Sequence, residues 1–299
     1  MLPKPSDGRF RVSFWGTRGS IATPGELTSK YGGNTPCVYI QYGDDAVILD
    51  AGTGIRPLGQ ELAKNIAVEG PAAQHIMLSH THWDHIQGLP FFAPAYIPDC
   101  ELRIYGSPRK ESALAAILED QMNNNYFPVK MDELAAEIAV IEIEEDSISI
   151  GGVEITTREQ FCHPGGSVAF KLCAGGRKIV YSTDVELNAL FEVENPSAET
   201  ESRGDDYRKF ISGVDLLIAD GQYTAGEYAA KKGWGHTSVS LLLRIAHEQG
   251  VKQLIVTHHD PDHSDEFIDE LSGKVAPIYR DVTPSMQVSW AVEGFALEL

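Results

Sequence analysis

Basic residues are scarce. The chain holds 24 lysines and arginines against 43 aspartates and glutamates, a formal net charge of −19 over 299 residues. Phosphate contacts from basic side chains supply most non-specific affinity for nucleic acid, and no Lys/Arg cluster stands out along the chain. A long RNA or DNA partner is therefore disfavoured. A small anionic substrate is not, because a bound metal outweighs distant surface charge. Cysteine is sparse as well: four residues, at 37, 100, 162 and 173, with no C-x-x-C pair. That argues against a disulfide framework and a thiolate zinc site, and fits reduced core thiols in a cytoplasm. Apolar runs long enough to span a bilayer, about 18 residues, are missing. The opening MLPKPSDGRF has no signal-peptide core, so a cytoplasmic protein without membrane contact is expected. Neither a solenoid-type repeat nor a heptad run is present.

What is there is a 42% hydrophobic chain, enough to bury a sizeable core. One domain over 1–299 is expected. Short β-branched or aromatic stretches predict strands at 9–15, 37–42, 46–50 and 75–79. Helical spacing marks 57–66 and 109–122. Two hairpins follow, 147–150 with 153–160 across Gly151-Gly152, and 167–173 with 177–183 across Gly175-Gly176. Buried strands at 214–219 and 253–257 bracket a helix at 237–249, with Thr237 or Ser238 as its N-cap. A helix at 264–273 and strands within 286–298 close the chain. Strands, helix, strands, helix, given twice, predict an α/β four-layer αββα sandwich with two mixed sheets and outer helices. Residues 192–208 are polar with almost no apolar anchors, which predicts a mobile surface loop.

Ligand-type side chains are concentrated. Residues 80–85 read HTHWDH, three of the ten histidines and a carboxylate directly after the apolar strand IMLS. Imidazole and carboxylate are zinc-type ligands. His80 and His82 alternate on extended chain and share a face. Asp84 and His85 come off the next turn and reach a second point, so the segment can serve two metal ions ~3.5–4 Å apart. In open α/β folds, sites gather at the carboxyl ends of strands. His163, Asp184 and His258 are each the first strong ligand type after an apolar run. Asp50, ending AVILD, reads as a carboxylate that holds a ligand imidazole by its other N–H or as a turn former. Asn34 tethers backbone near the site or makes a plain turn. NNNYFP at 123–128 packs at a helix end or walls a nucleobase pocket by stacking.

With HTHWDH in place, the chain resembles the metallo-β-lactamase superfamily of binuclear hydrolases, and within it the ribonuclease Z-like phosphodiesterases. FWGTRGSIATPG, VILDAGTG, GRKIVYSTD, VDLLIADGQYT and GWGHTSVSLLLRIAHEQGVKQLIVTHHD are each similar to segments of that branch, so the resemblance covers nearly the whole chain. Its nearest likeness there is to hydrolases of small substrates, cyclic-nucleotide phosphodiesterases among them. The resemblance implies one metal held by His80, His82 and His163, a second held by Asp84, His85 and His258, and Asp184 bridging them. It adds His236 as a helper acid or stabiliser of charge on the phosphoryl oxygens, and makes Asp84 an orienter of the nucleophile. Two divalent ions, Zn²⁺ first and Mn²⁺ or Fe²⁺ as alternatives, would acidify a shared water.

Two departures matter. The basic insertion by which transfer-RNA-processing members grip RNA is missing. The terminal motif reads THHDPDHSD, so His259, Asp260 and His263 compete with His258. His258 is preferred as the first residue after the strand, with His259 facing away. The expected activity is hydrolysis of a small nucleotide-type phosphodiester, cyclic ones included, with a homodimer as the candidate assembly. Alternatives are hydrolysis of a thioester, lactone or β-lactam on the same metals, or RNA endonucleolysis.

Overall fold

Alternation within strands decides the layering. In the computed structural model, which describes residues 2–107, 113–143, 147–282 and 286–299, the first half contributes β1 (Phe10–Gly16), β2 (Cys37–Tyr42), β3 (Asp45–Leu49), β4 (Gln74–Leu78), β5 (Glu101–Gly106) and β6 (Glu137–Glu142). The second contributes β7 (Ser147–Ile150), β8 (Val153–Gln160), β9 (Ser167–Ala174), β10 (Arg177–Ser182), β11 (Leu216–Asp220), β12 (Gln253–Thr257) and β13 (Gln287–Trp290), and β14 (Ala296–Glu298) returns to the first sheet. The two seven-stranded sheets run β14-β1-β2-β3-β4-β5-β6 and β13-β12-β11-β10-β9-β8-β7. Each is antiparallel through its hairpins and parallel beyond, from β3 to β6 in one and from β10 to β13 in the other.

Between the sheets lie Val47 and Leu49 of β3, Leu216 and Ile218 of β11, and Ile255 of β12. The residues between them point outward: Ile48 to one outer layer, Leu217, Leu254 and Val256 to the other. The first outer layer holds α1 (Ile55–Glu69), whose Ile55, Leu58, Leu62 and Ile66 form one apolar stripe. It also holds the short α2 (Trp83–Ile86) and α3 (Leu114–Gln121). The second holds α4 (Asn188–Phe191), α5 (Ala198–Ile211), α6 (Ala225–Tyr228), α7 (Val239–Glu248) and α8 (Asp265–Val282). This is the four-layer αββα sandwich with mixed sheets. Among the described residues no helix is long and apolar enough to cross a membrane.

Three differences from the sequence expectations have physical reasons. Of the loop expected over 192–208, residues 192–197 hold no helix or strand, but 198–208 are instead part of the helix α5. Ser197 caps it by accepting from the Thr200 N–H at 3.1 Å, and Glu199–Arg203 and Asp205–Arg208 pairs lace its polar face. Its apolar anchors Tyr207, Phe210 and Ile211 crowd the last turn, at or past the end of the polar window. Second, β5 and β6 lie where no strand is expected; charged residues interrupt both, and β6 is a sheet edge. Third, α8 runs on past Gly273 to Val282. Of the helix expected over 109–122, residues 108–112 lie outside the described residues, and α3 covers most of the rest. In NNNYFP, Phe127 meets Phe91 edge-on at 5.3 Å, while Tyr126 is exposed.

Candidate metal centre

The site is built from turns that follow strands. After β4, the extended His82 occupies the N-cap of α2, and the first turn of that helix buries Asp84 and His85. Four other strands end near the same point. Asp50 directly follows β3, His258 directly follows β12, and Asp184 comes two residues after β10, in turns where they have left-handed φ of 62°, 63° and 55°. Cys162, next to His163, has φ 67°. Non-glycine residues in this region cost on the order of 1–3 kcal/mol each, and they persist where surrounding structure over-determines them. Here the turn swings each side chain toward one centre.

All seven expected metal-site residues come together. His80, His82 and His163 offer ligand atoms within 4.8 Å of one another, and so do Asp84, His85 and His258. These are the two triads the sequence resemblance implies. Asp184 lies between them and divides its oxygens. Oδ1 is 3.8 Å from His80 Nε2 and 3.9 Å from His163 Nε2. Oδ2 is 3.2 Å from His85 Nε2 and 3.3 Å from His258 Nε2. Asp84 Oδ2 stands 3.2 Å from His258 Nε2 and accepts the Ser20 N–H at 2.8 Å. His236 stacks on His258 at 4.9 Å and places Nδ1 3.8 Å from Asp184 Oδ1.

A second layer fixes the rings. Asp50 Oδ2 takes the Nδ1 side of His85 at 2.8 Å and also accepts from Ser79 and Tyr181 hydroxyls. Gln222 Oε1 faces His258 Nδ1 at 3.1 Å, and the Gly235 carbonyl faces His163 Nδ1 at 3.1 Å. An acceptor on Nδ1 keeps the proton there and turns Nε2 inward, the arrangement metal-binding imidazoles use. His80 Nε2 is buried and has no hydrogen-bond partner among the described residues. An orphaned buried nitrogen is costly, and a cation beside Asp184 would satisfy it. Gly19 is another sign of tight construction: a Cβ there would fall 2.3 Å from His258 Nδ1. The donor set thus fits divalent metal ions.

Electrostatics separate the triads. Burial pushes His80 well down and His163 down to about 4, so both favour the neutral form a ligand needs. Burial also pulls on His85 and His258, but the Asp84 and Asp184 carboxylates outweigh it. His85 is raised well above its ordinary value and His258 is raised to about 9. Burial would raise Asp84 and Asp184, yet the facing imidazoles, His85 and His258 foremost, hold both well below the usual carboxylate range.

The other histidines of THHDPDHSD go elsewhere. His259 sends Nε2 to the Ala291 carbonyl at 2.8 Å, and burial pushes it down to about 3. His263 pairs with Glu227 at 2.8 Å, and Asp260 with Lys231 at 2.9 Å. Asn34 is tied by its N–H and its side chain to Glu293, not to the centre. Sequence reasoning misses Asp220, whose Oδ2 holds His236 Nδ1 at 2.7 Å, and Gln222. Asp220 was findable by the rule that finds Asp184, being the first acid after the apolar run VDLLIA. Gln222 leaves no such signal. A cavity of about 1010 Å³ lies beside His163, with Glu186, Glu192, Glu194 and Lys232 in its wall.

Comparison with known proteins agrees with this fold. A beta-lactamase superfamily domain matches residues 46–259. The ribonuclease Z of Haloarcula marismortui is 21% identical over 293 residues, covering 87% of this chain and 90% of that protein. The metallo-beta-lactamase fold protein YhfI of Bacillus subtilis superposes with a TM-score of 0.65 at 20% identity, covering 98% of this chain and all 100% of its own. A diphosphatase from the PhnP family superposes with a TM-score of 0.63 at 17% identity, covering 97% of this chain and 98% of that one. The chain belongs to the metallo-β-lactamase superfamily, as a ribonuclease Z-like, metal-dependent hydrolase.

Proposed function

We propose that this chain is a binuclear hydrolase of small nucleotide-type phosphodiesters, cyclic ones included. His80, His82 and His163 would hold one divalent ion, Asp84, His85 and His258 the other, and Asp184 both. Zn²⁺ suits nitrogen and carboxylate donors of this kind; Mn²⁺ and Fe²⁺ are the alternatives. When bound, such ions act as Lewis acids and bring the pKa of water toward about 7.

The chain's own groups position and protonate. Asp84, held by the Ser20 N–H, orients the nucleophile by hydrogen bond. Asp220 holds Nδ1 of His236; when the ring is protonated on both nitrogens, Nε2 would give its proton to the departing alkoxide or to a phosphoryl oxygen and leave the neutral Nδ1–H form. This pair is the observation that carries the reading. It fixes an imidazole outside both triads, with Nδ1 3.8 Å from Asp184 Oδ1, and alkoxide leaving groups of diesters need a proton donor at the centre. A thioester on the same ions has less use for it, because a thiolate leaves without a proton.

Endonucleolytic cleavage of RNA is the second reading, favoured by the likeness to ribonuclease Z. The net charge of −19 and the acidic wall beside His163 weigh against a polyanion. The test is steady-state turnover of metal-loaded protein on cyclic nucleotides, a bis-aryl phosphate, a structured RNA, a thioester, a lactone and a β-lactam. The highest kcat/KM on a small diester supports the reading. Preference for the RNA installs the second one. Turnover of acyl substrates alone overturns both.

A further inference from the structure

Glu186 is a buried carboxylate that neither triad uses, and it lies two residues past Asp184. Both of its oxygens are engaged. Oε1 accepts the Tyr228 hydroxyl at 2.6 Å and the Gly233 N–H at 2.9 Å; Oε2 accepts the Gly235 N–H at 3.0 Å. Gly235 in turn offers its carbonyl to His163 Nδ1 at 3.1 Å. The next residue is His236. The same two segments are laced further along: Thr237 Oγ1 accepts the Leu187 N–H at 3.0 Å, and Asn188 and Ser238 exchange two hydrogen bonds at 2.9 Å.

The fit at Gly235 is tight. Its φ is 92°, open to glycine and strained for other residues, and a Cβ would fall 2.0 Å from His163 Nδ1. The turn 233–235 therefore lies directly against the imidazole, and what fixes the turn fixes the ring. A carboxylate is suited to this. It accepts several N–H and O–H donors at once, while an amide of the same shape replaces one acceptor with a donor.

We propose that Glu186 is a positioning residue for the metal centre, acting through the 233–235 turn to set the ring orientation and tautomer of His163 and the place of His236. The inference rests on the ligand assignment made above. It ties three elements of the centre together: the segment leaving Asp184, the loop before α7, and the histidine after β8.

The test is Co²⁺ binding to the full-length protein, followed by visible absorption and by competition with a chelator. The variants are Glu186→Gln and, should that fail to fold, Glu186→Asp, which keeps the charge but shortens the reach. Asp215→Asn is the control. Asp215 is a mostly buried carboxylate that holds the Lys178 N–H, Arg177 and Lys252, far from the histidines in connectivity. In the Glu186 variant, one of two Co²⁺ equivalents should bind roughly 10- to 100-fold more weakly, the scale of losing a ligand's outer partner. The absorption bands should shift with it. The Asp215 variant should lose melting temperature but bind both equivalents like wild type. A folded Glu186 variant with wild-type affinities and spectrum overturns the proposal. Wild-type protein that takes up no Co²⁺ overturns the ligand assignment first and this inference with it.

Discussion

The two halves of the molecule share a plan and use it differently. Each runs antiparallel strands into parallel ones and covers the outer face with helices. The first half gives its donors in one burst, His80, His82, Asp84 and His85 between β4 and the end of α2. The second half gives single residues from separate strand ends: His163 after β8, Asp184 after β10, His258 after β12, with Asp220 ending β11. Concentrated ligands need only a correct local turn. Dispersed ligands need the whole sheet in register, since β10, β11 and β12 align Ser182 with Ala219 and Asp220 with Thr257. The first half supplies four of the seven donors, and the second sets where they meet.

Breaking the junction between the halves should have the largest effect. Asp184→Ala removes the one carboxylate among the described residues that faces both triads. Metal analysis should show loss of at least one equivalent, and kcat/KM on a small diester should fall by roughly 10⁴-fold or more, the scale of disabling a catalytic unit. Two retained equivalents with near-normal turnover would mean the halves do not meet at Asp184. Next in size is His236→Ala. Because His236 stands outside both triads, both metals should stay bound, while kcat on a cyclic nucleotide drops roughly 10²-fold, as for loss of a general acid. On an activated aryl diester the drop should be smaller. Loss of a metal in that variant would instead place His236 among the ligands.

The difference between the halves also explains what could be read from the sequence. HTHWDH carries its chemistry in six adjacent residues, so local spacing suffices. His163, Asp184 and His258 are legible because each follows an apolar run, which marks a strand end before any sheet is known. Gln222 and Gly235 are not legible. Their roles depend on which ring lies beside them once β11, β12 and the loop before α7 are packed. The layers were readable from strand–helix order, and β6 was not, because a charged edge strand lacks a clean two-residue alternation.

A pH titration sharpens the comparison further. His258, raised to about 9, contributes stability to the metal-free protein that is complete below about pH 6.5, its usual range, and is lost as pH rises through about 9. His85 has the same sign. Asp84 and Asp184 have the opposite sign, with stability present above the usual carboxylate range and lost on acidification. Metal-free protein should therefore lose melting temperature between about pH 6.5 and 9. Metal must displace the protons of the second triad, so apparent affinity should rise across the same interval. Scanning calorimetry of both forms should show the gap between them widening with pH. A constant gap would remove proton competition from the account.

The smallest effect tests the outer layer of the second half, where the sequence pointed to a loop and the fold has α5. The helix is polar along most of its length, and its apolar anchors sit in the last turn. Its first turn has little tertiary packing to hold it: Glu199 and Glu201 are acidic near the positive end of the helix dipole, and Ser197 accepts the Thr200 N–H. Arg203 lies over the Phe161 ring at 3.7 Å. Ser197→Ala removes the cap at a cost of about 0.5–2 kcal/mol to the local helix. Because the anchors are distant, most of that should appear as fraying. Hydrogen exchange should accelerate at residues 199–202, remain slow at 207–211, and leave metal content and kcat unchanged. Fast exchange throughout 198–208 in the wild type would restore the loop that composition suggested. Accelerated exchange reaching Asp184 or His163 would show that this layer is coupled to the centre, and not merely laid over it.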